Sequence, residues 1–221
     1  MMAATASRNL LGQNAYRAIL ESIREGVYSP GDHLREQEVA EHLGVSRTPV
    51  REAMGRLQEK GLLEAAPGRG LAIATLTTEK VFELYAMRGE LEAVVARFAA
   101  QHATDAEIEN MRRVNLQFGA ARVPNDAAKL NRVFHALLYA AARNRYLQAA
   151  VEDLQETITL LRCTTFTQNG RVEVASEEHI AILAAIALRD APAAAEAARN
   201  HIKSSLGTRL TMIRADEGTH H

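Results

Sequence analysis

The stretch Leu43-Gly44-Val45-Ser46-Arg47-Thr48-Pro49-Val50-Arg51-Glu52-Ala53 admits few folds. Gly44 suits the crowded or left-handed backbone of a short turn between two helices, and Val45 is placed to bury against the helix before it. Ser46 is a good N-cap. Pro49 falls in the first helical turn, where a missing N–H is harmless. Arg47, Thr48 and Arg51 then stand near the N-terminus of that helix, on or beside one face. This end turns backbone N–H groups and a positive dipole outward, which suits a phosphate. The pattern predicts a helix-turn-helix, whose second helix offers this end to the DNA major groove.

The flanking sequence supplies the rest of such a module. A first helix is expected from about Leu10 to Glu25, with Tyr16, Ile19, Leu20 and Ile23 on one face, broken by Gly26 and then Ser29-Pro30-Gly31. A short helix from Glu36 to Leu43 turns Val39, Ala40 and Leu43 inward, and the reading helix from Arg47 to about Glu59 buries Val50, Ala53, Met54 and Leu57. Gly61 ends it. Leu62–Ala66 and Leu71–Ala74 read as short strands around Pro67-Gly68-Arg69-Gly70. Three helices and a basic-tipped hairpin describe a winged helix-turn-helix over residues 10–76, with residues 1–9 expected to be disordered. Arg47 and Arg51 can reach guanine edges or phosphates, and Thr48 a phosphate or a thymine methyl. Arg69, between two glycines, can enter the minor groove or meet the backbone. Solvated arginines on an ordinary helical turn would look the same in isolation; the order of the neighbouring elements favours DNA.

Bulk charge decides nothing. The formal net charge is −1, so any positive surface is local. The one cysteine, Cys163, allows no intrachain disulfide and fits a reducing cytoplasm. No apolar run approaches the roughly 18 residues of a membrane span, and the N-terminus lacks the apolar core of a signal peptide.

Beyond Leu76 the patterns are long and helical, without strand signals. Thr77 or Thr78 can cap a helix to about Gln101, and Thr104-Asp105-Ala106-Glu107 is a capping box for the next. Pro124 opens a helix containing Asn131, Phe134 and His135; Asn144 to Arg162 continues the bundle. Thr164 to Gly170 is a polar loop, Arg171 to Leu188 is helical, and Asp190-Ala191-Pro192 caps a last helix through Ile213. The chain is thus expected to be mainly α: a winged helix, an all-helical bundle over 77–214, and a tail at 215–221.

Histidines are the bundle's candidate chemistry. Asn131 and His135 are four apart and share a helix face, while His179 and His201 stand on two later helices. Three histidines from three helices suit a divalent transition metal with open positions. A lone histidine at an apolar–polar border is equally a hydrogen-bonded core side chain, and spacing does not choose. Arg88 sits in a largely apolar stripe, either paired with Glu92 at i+4 or gripping a carboxylate ligand.

Residues 10–76 closely resemble the GntR family of bacterial transcription regulators. The resemblance is carried by Leu34-Arg35-Glu36, Val39-Ala40, Leu43 through Ala53, Leu57 and Gly61-Leu62. It implies Arg47, Thr48 and Arg51 for the recognition helix, with Gly68 and Arg69 for the wing. Many members have an arginine where Gln37 stands here, and nearby Arg35 is the candidate substitute for that contact. Residues 78–213 resemble the FCD domain of the FadR-like branch through Tyr85–Glu92, Asn131–His135, Glu178–Ile186 and His201. That likeness implies a metal (zinc, nickel or manganese) held by an Asp or Asn and three His, here Asn131, His135, His179 and His201. It also implies a small carboxylate effector near Arg88, with Arg162 a weaker second candidate, and a homodimer on a palindromic operator, most often as a repressor. Asn131 in place of the commoner Asp offers a neutral oxygen and lowers the charge of the site.

Two other classes compete. A metal with open positions can generate a hydroxide, so a metal-dependent hydrolase is an alternative; paired Glu-x-x-His motifs, a G-x-S-x-G elbow and a phosphate-binding Gly loop are all missing. A bundle that only dimerises the reader and binds no metal is the other.

Overall fold

The computed structural model describes the backbone of residues 2–66, 70–161 and 163–218, and within these the side chains of residues 10–215. The chain divides into two compact units, Met1–Leu76 with Gln155–Arg162, and Thr77–Leu154 with Cys163–His221.

The first unit is a winged helix. Helix α1 (Met2–Arg24) begins upstream of the expected Leu10. Ala3, Ala4 and Ala6 are strong helix formers, and no glycine or proline interrupts them, so residues 2–9 continue the helix where disorder was expected. Strand β1 (His33–Leu34) was not anticipated, since two residues cannot display an alternation. Helix α2 (Glu36–Leu43) ends at Gly44, whose φ of 66° is the left-handed conformation that closes the turn. Val45 donates its N–H back to Ala40 O at 3.0 Å, but its side chain stays exposed instead of burying against α2. Helix α3 (Arg47–Glu59) starts after an extended Ser46 whose side chain makes no capping bond. Strands β2 (Leu63–Ala66) and β3 (Gly70–Ile73) pair antiparallel, Leu63 opposite Ile73, with β1 on the far side of β3 in the order β1-β3-β2.

Ile19 from α1, Val50, Ala53 and Leu57 from α3, and Ile73 from β3 are fully buried together. Removing the Leu57 side chain beyond Cβ leaves a cavity at the centre of this unit. Leu57→Ala is expected to cost about 2–5 kcal/mol in chemical denaturation, with the loss falling on the winged helix. Residues 155–162, expected to continue the bundle, group with this unit instead. The reason is specific: Leu160 joins its apolar cluster, and Glu156 accepts the Tyr16 hydroxyl at 2.6 Å and Lys60 Nζ at 2.7 Å.

The second unit is all helical: α4 (Thr78–His102), α5 (Asp105–Ala120), α6 (Pro124–Ala141), α7 (Arg145–Ile158, its last turn grouped with the first unit), α8 (Arg171–Ala187) and α9 (Ala191–Gly218), with a 3-10 turn at Thr165–Thr167. Thr77 caps α4 by accepting from Lys80 N–H, and Thr104 with Glu107 forms the reciprocal capping box of α5. Helix α4 packs along α9, α8 on α9, and α5 on both α6 and α8. Alanines let the first pair approach closely: Ala96, Ala99 and Ala100 from α4 are buried, as are Ala194, Ala195 and Ala198 from α9. At the α5–α8 crossing, a Cβ on Gly119 would lie 2.9 Å from Ser176 Oγ, so glycine sets the depth of that contact. Phe134, Leu138, Met111, Ile182 and Ile186 fill the centre.

Candidate metal centre and nucleic-acid interface

His135 of α6, His179 of α8 and His201 of α9 converge in the bundle, with a ligand atom of each within 4.8 Å of the others. All three are buried, and their ring centroids lie 4.8–5.5 Å apart. Asn131 stands one turn before His135 on α6.

Hydrogen bonds fix how two of the rings face. Asn115 of α5 spends its amide N–H groups on Ser176 O (3.0 Å) and Ser176 Oγ (3.2 Å). Its Oδ1 therefore accepts from His179 Nδ1 at 2.8 Å, which leaves the His179 Nε2 lone pair free. His201 Nδ1 donates to Glu178 Oε2 at 2.7 Å, and that same oxygen accepts both Nη1 and Nη2 of the buried Arg171 at 3.0 Å. Such outer partners fix the tautomer and raise the basicity of a ligating imidazole. Phe134 stacks on His179 with centroids 3.9 Å apart and further restrains the ring.

The electrostatics keep two imidazoles neutral. Burial, then the charges of His201, His135, Arg171 and Arg88, hold His179 well below the ordinary histidine range. Burial also brings His201 down to about 4, outweighing the raising effect of its bond to Glu178. Glu92 of α4 behaves oppositely. Burial raises its carboxyl, but His135, Arg88 and the Tyr139 hydroxyl together hold it down at about 2. Its Oε2 lies 3.4 Å from His135 Nδ1, and its Oε1 accepts from Tyr139. Arg88 pairs with Glu92 at 3.5 Å, as the i+4 spacing allowed, but the pair is buried and not at the surface.

His179 Nε2, His135 Nε2 and Asn131 Oδ1 are buried and, among the described residues, have no hydrogen-bond partner, while His135 Nδ1 faces Glu92. Each such orphan costs about 1–3 kcal/mol, so open nitrogens on His135 and His179, in a group of three rings within 4.8 Å, call for a ligand. Neutral imidazoles with an amide oxygen are a donor set that fits a divalent transition metal. The residues present fit the group.

On the first unit, Arg47, Thr48 and Arg51 are exposed at the start of α3, as the sequence expects. Both arginines reach back to Glu36 of α2: Arg51 through Nε and Nη2 at 2.9 Å, Arg47 through Nη2 at 3.4 Å. Arg35 is exposed and bonds Glu38 at 2.7 Å, while Gln37 donates to Glu41 at 3.0 Å. Gly68, Arg69 and Arg162 lie outside the described residues.

Glu36, Asn115, Arg171 and Glu178 were missed as parts of these sites. Asn115 left a signal: with Ile108, Met111 and Phe118 it lies on the apolar stripe of α5, where an amide needs a partner. Glu178 opens the FCD-like segment Glu178–Ile186 without its role being named there, and Arg171, two turns before it on α8, left no signal.

A turn-fed helix with exposed arginines, a wing and a helical ligand-type bundle define a DNA-binding transcription regulator. Residues 11–73 match the bacterial regulatory proteins of the gntR family, and residues 83–204 match the FCD domain. The chain belongs to the GntR family, in its FadR-like branch. It is 32% identical over 189 residues to the Nta operon transcriptional regulator of Aminobacter aminovorans, covering 85% of this chain and 89% of the relative. Identity to the HTH-type transcriptional regulator YdhC of Bacillus subtilis (strain 168) is 30% over 192 residues, 85% and 84% of the two chains. The HTH-type transcriptional repressor RspR of Escherichia coli (strain K12) is 28% identical over 197 residues, 87% and 86% of the two. In fold, E. coli McbR/YncC superposes with a TM-score of 0.82 over 92% of this chain and 98% of that one, at 20% identity. These relatives are regulators, so the hydrolase alternative is set aside.

Proposed function

We propose that the chain represses transcription as a homodimer on a palindromic operator, with DNA affinity set by a small carboxylate held at a metal in the bundle. The observation that carries the ligand half is the group of buried, unpartnered donors around His135, His179 and His201. In this reading residues 10–76 are the DNA reader and 77–214 the sensor and dimerisation domain.

Asn131, His135, His179 and His201 would hold the ion. Bound there, a divalent metal supplies a positive centre with open positions for carboxylate oxygens. Asn115 and Glu178 orient two of the rings, and Glu92 faces the third. Arg88, buried and paired through Nε with Glu92, suits the carboxylate's other end, and Arg162 is a second candidate for it. On the reader, Arg47, Thr48 and Arg51 contact bases or phosphates, while Arg35, Gly68 and Arg69 suit the flanking backbone. Two readers on a two-fold axis bind inverted half-sites. The effector must bind the DNA-incompetent arrangement more tightly, with a coupling of about 1–3 kcal/mol; residues 74–78 join reader to sensor. Among the described residues no helix is long and apolar enough to cross a membrane, and action on DNA fits the cytoplasm.

The test is a thermal-shift screen of carboxylic acids on metal-replete protein without a His tag, followed by operator-release assays with each hit. Stabilisation that requires metal and releases DNA is the expected result; protein that takes up no metal under any loading refutes the sensor. A second expectation concerns Asn115. Asn115→Leu removes the acceptor that fixes the His179 tautomer and should weaken metal binding about 10–100-fold in a chelator competition. Unchanged affinity would remove Asn115 from the site.

A further inference from the structure

Glu36 is an acid set among cations. It stands in the first turn of α2, where the helix N-terminus favours a negative charge, and its side chain is 28% exposed. From there it spans to α3 and engages both reading arginines. Arg51 meets it as a fork, Nε on one carboxylate oxygen and Nη2 on the other, each at 2.9 Å; Arg47 adds one contact at 3.4 Å. The Arg51 hydrogen bond, against a smaller effect of burial, holds the Glu36 carboxyl below its usual range.

A guanidinium carries five N–H donors, and the fork to Glu36 uses two. The remaining three suffice for the O6 and N7 of a guanine, which need two. A phosphate is attracted differently, by net charge. One carboxylate against two guanidiniums halves the charge that the reading face offers to the DNA backbone. Phosphate attraction is sequence-independent and dominates non-specific binding, whereas base readout depends on where the donors point.

We infer that Glu36 is a positioning residue that sets specificity, fixing Arg51 with free donors toward the bases while subtracting charge that would hold any DNA. This rests on Arg47 and Arg51 being the reading arginines. It predicts that losing the carboxylate makes the protein bind DNA better and choose it worse.

The experiment uses the full chain and two duplexes: one enriched by the wild-type protein from a random-sequence pool, and a scrambled duplex of the same composition. Affinities are measured by fluorescence anisotropy over a salt series, with thermal melts as a folding control. Glu36→Gln keeps the shape and one acceptor oxygen. It should tighten binding to the scrambled duplex several-fold, steepen the log–log salt slope by about 0.9 for one added phosphate contact, and lower the selected-to-scrambled ratio about tenfold. Glu36→Asp keeps the charge but shortens the reach, so the wild-type slope should return while the ratio stays low. An unchanged slope and ratio in Glu36→Gln overturns the inference, as does equal weakening on both duplexes, which marks a merely structural role. Arg51→Ala separates the two levels. If it leaves the ratio unchanged, the assignment of the reader fails; if it collapses the ratio while Glu36→Gln moves nothing, only the role of Glu36 fails.

Discussion

His135→Ala combined with His179→Ala should abolish metal binding and every effector response while leaving the bundle folded. The expectation follows from how the donors are divided. His135 and His179 each supply one unpartnered ring nitrogen, so the double substitution leaves only His201 and Asn131. Two donors do not make a structural or ligand-bearing site of the kind the three rings allow. The magnitude comes from linkage: an ion present at about 1,000 times its dissociation constant stabilises the native state by about 4 kcal/mol. For a chain of this size that corresponds to a melting shift on the order of 10 °C. Chelator should therefore lower the wild-type melting temperature by about that much and leave the double variant unmoved. Elemental analysis is the decisive reading; equal metal content in the variant and the wild type would falsify the site. The variant should still bind DNA, because nothing in the winged helix is touched, and its binding should no longer respond to any acid that releases the wild type.

Parts of this design were visible in the chain before any coordinates, and the division has physical causes. The turn at Gly44 and the stripe Val50, Ala53, Met54 and Leu57 are local, set by backbone sterics and helical period, and they emerged where the residues indicated. The capping box at Thr104 is local in the same way. Helix α1 was cut short because the eight residues before Leu10 carry no apolar stripe, and helix propensity alone is a weak signal. The affiliation of residues 155–162 could not be read, since it depends on Tyr16 and Lys60, over ninety residues away in sequence. The histidines were legible as candidates from residue type, and the family likeness joined them into one ligand set; spacing within a helix says which residues share a face, not which helices meet. Their supporting partners were less legible still. Asn115 acts on His179 across 64 positions, and Glu36 acts on Arg51 across 15. Neither separation matches a helical repeat, so neither pair is announced by pattern.

The second large effect belongs to the reader. Arg51→Ala should weaken binding to the selected operator by about 1–3 kcal/mol, the cost of one bidentate base contact, and should relax the preference at the base it meets. Arg51 is the stronger choice over Arg47 because its guanidinium is already oriented. It meets Glu36 at 2.9 Å through two nitrogens, whereas Arg47 makes a single contact at 3.4 Å. An oriented side chain loses less entropy on binding, so more of its contact energy appears as affinity. Arg47→Ala should by comparison lower affinity for all duplexes nearly alike and flatten the salt slope by about 0.9, the mark of a phosphate contact. The uncapped start of α3 adds to that sequence-independent attraction, since Ser46 leaves the first N–H groups of the helix without a side-chain acceptor. Titrations of both variants on the selected and scrambled duplexes, at fixed salt and then across a salt series, separate these roles. If Arg51→Ala leaves the operator isotherm unchanged, Arg51 does not read the operator.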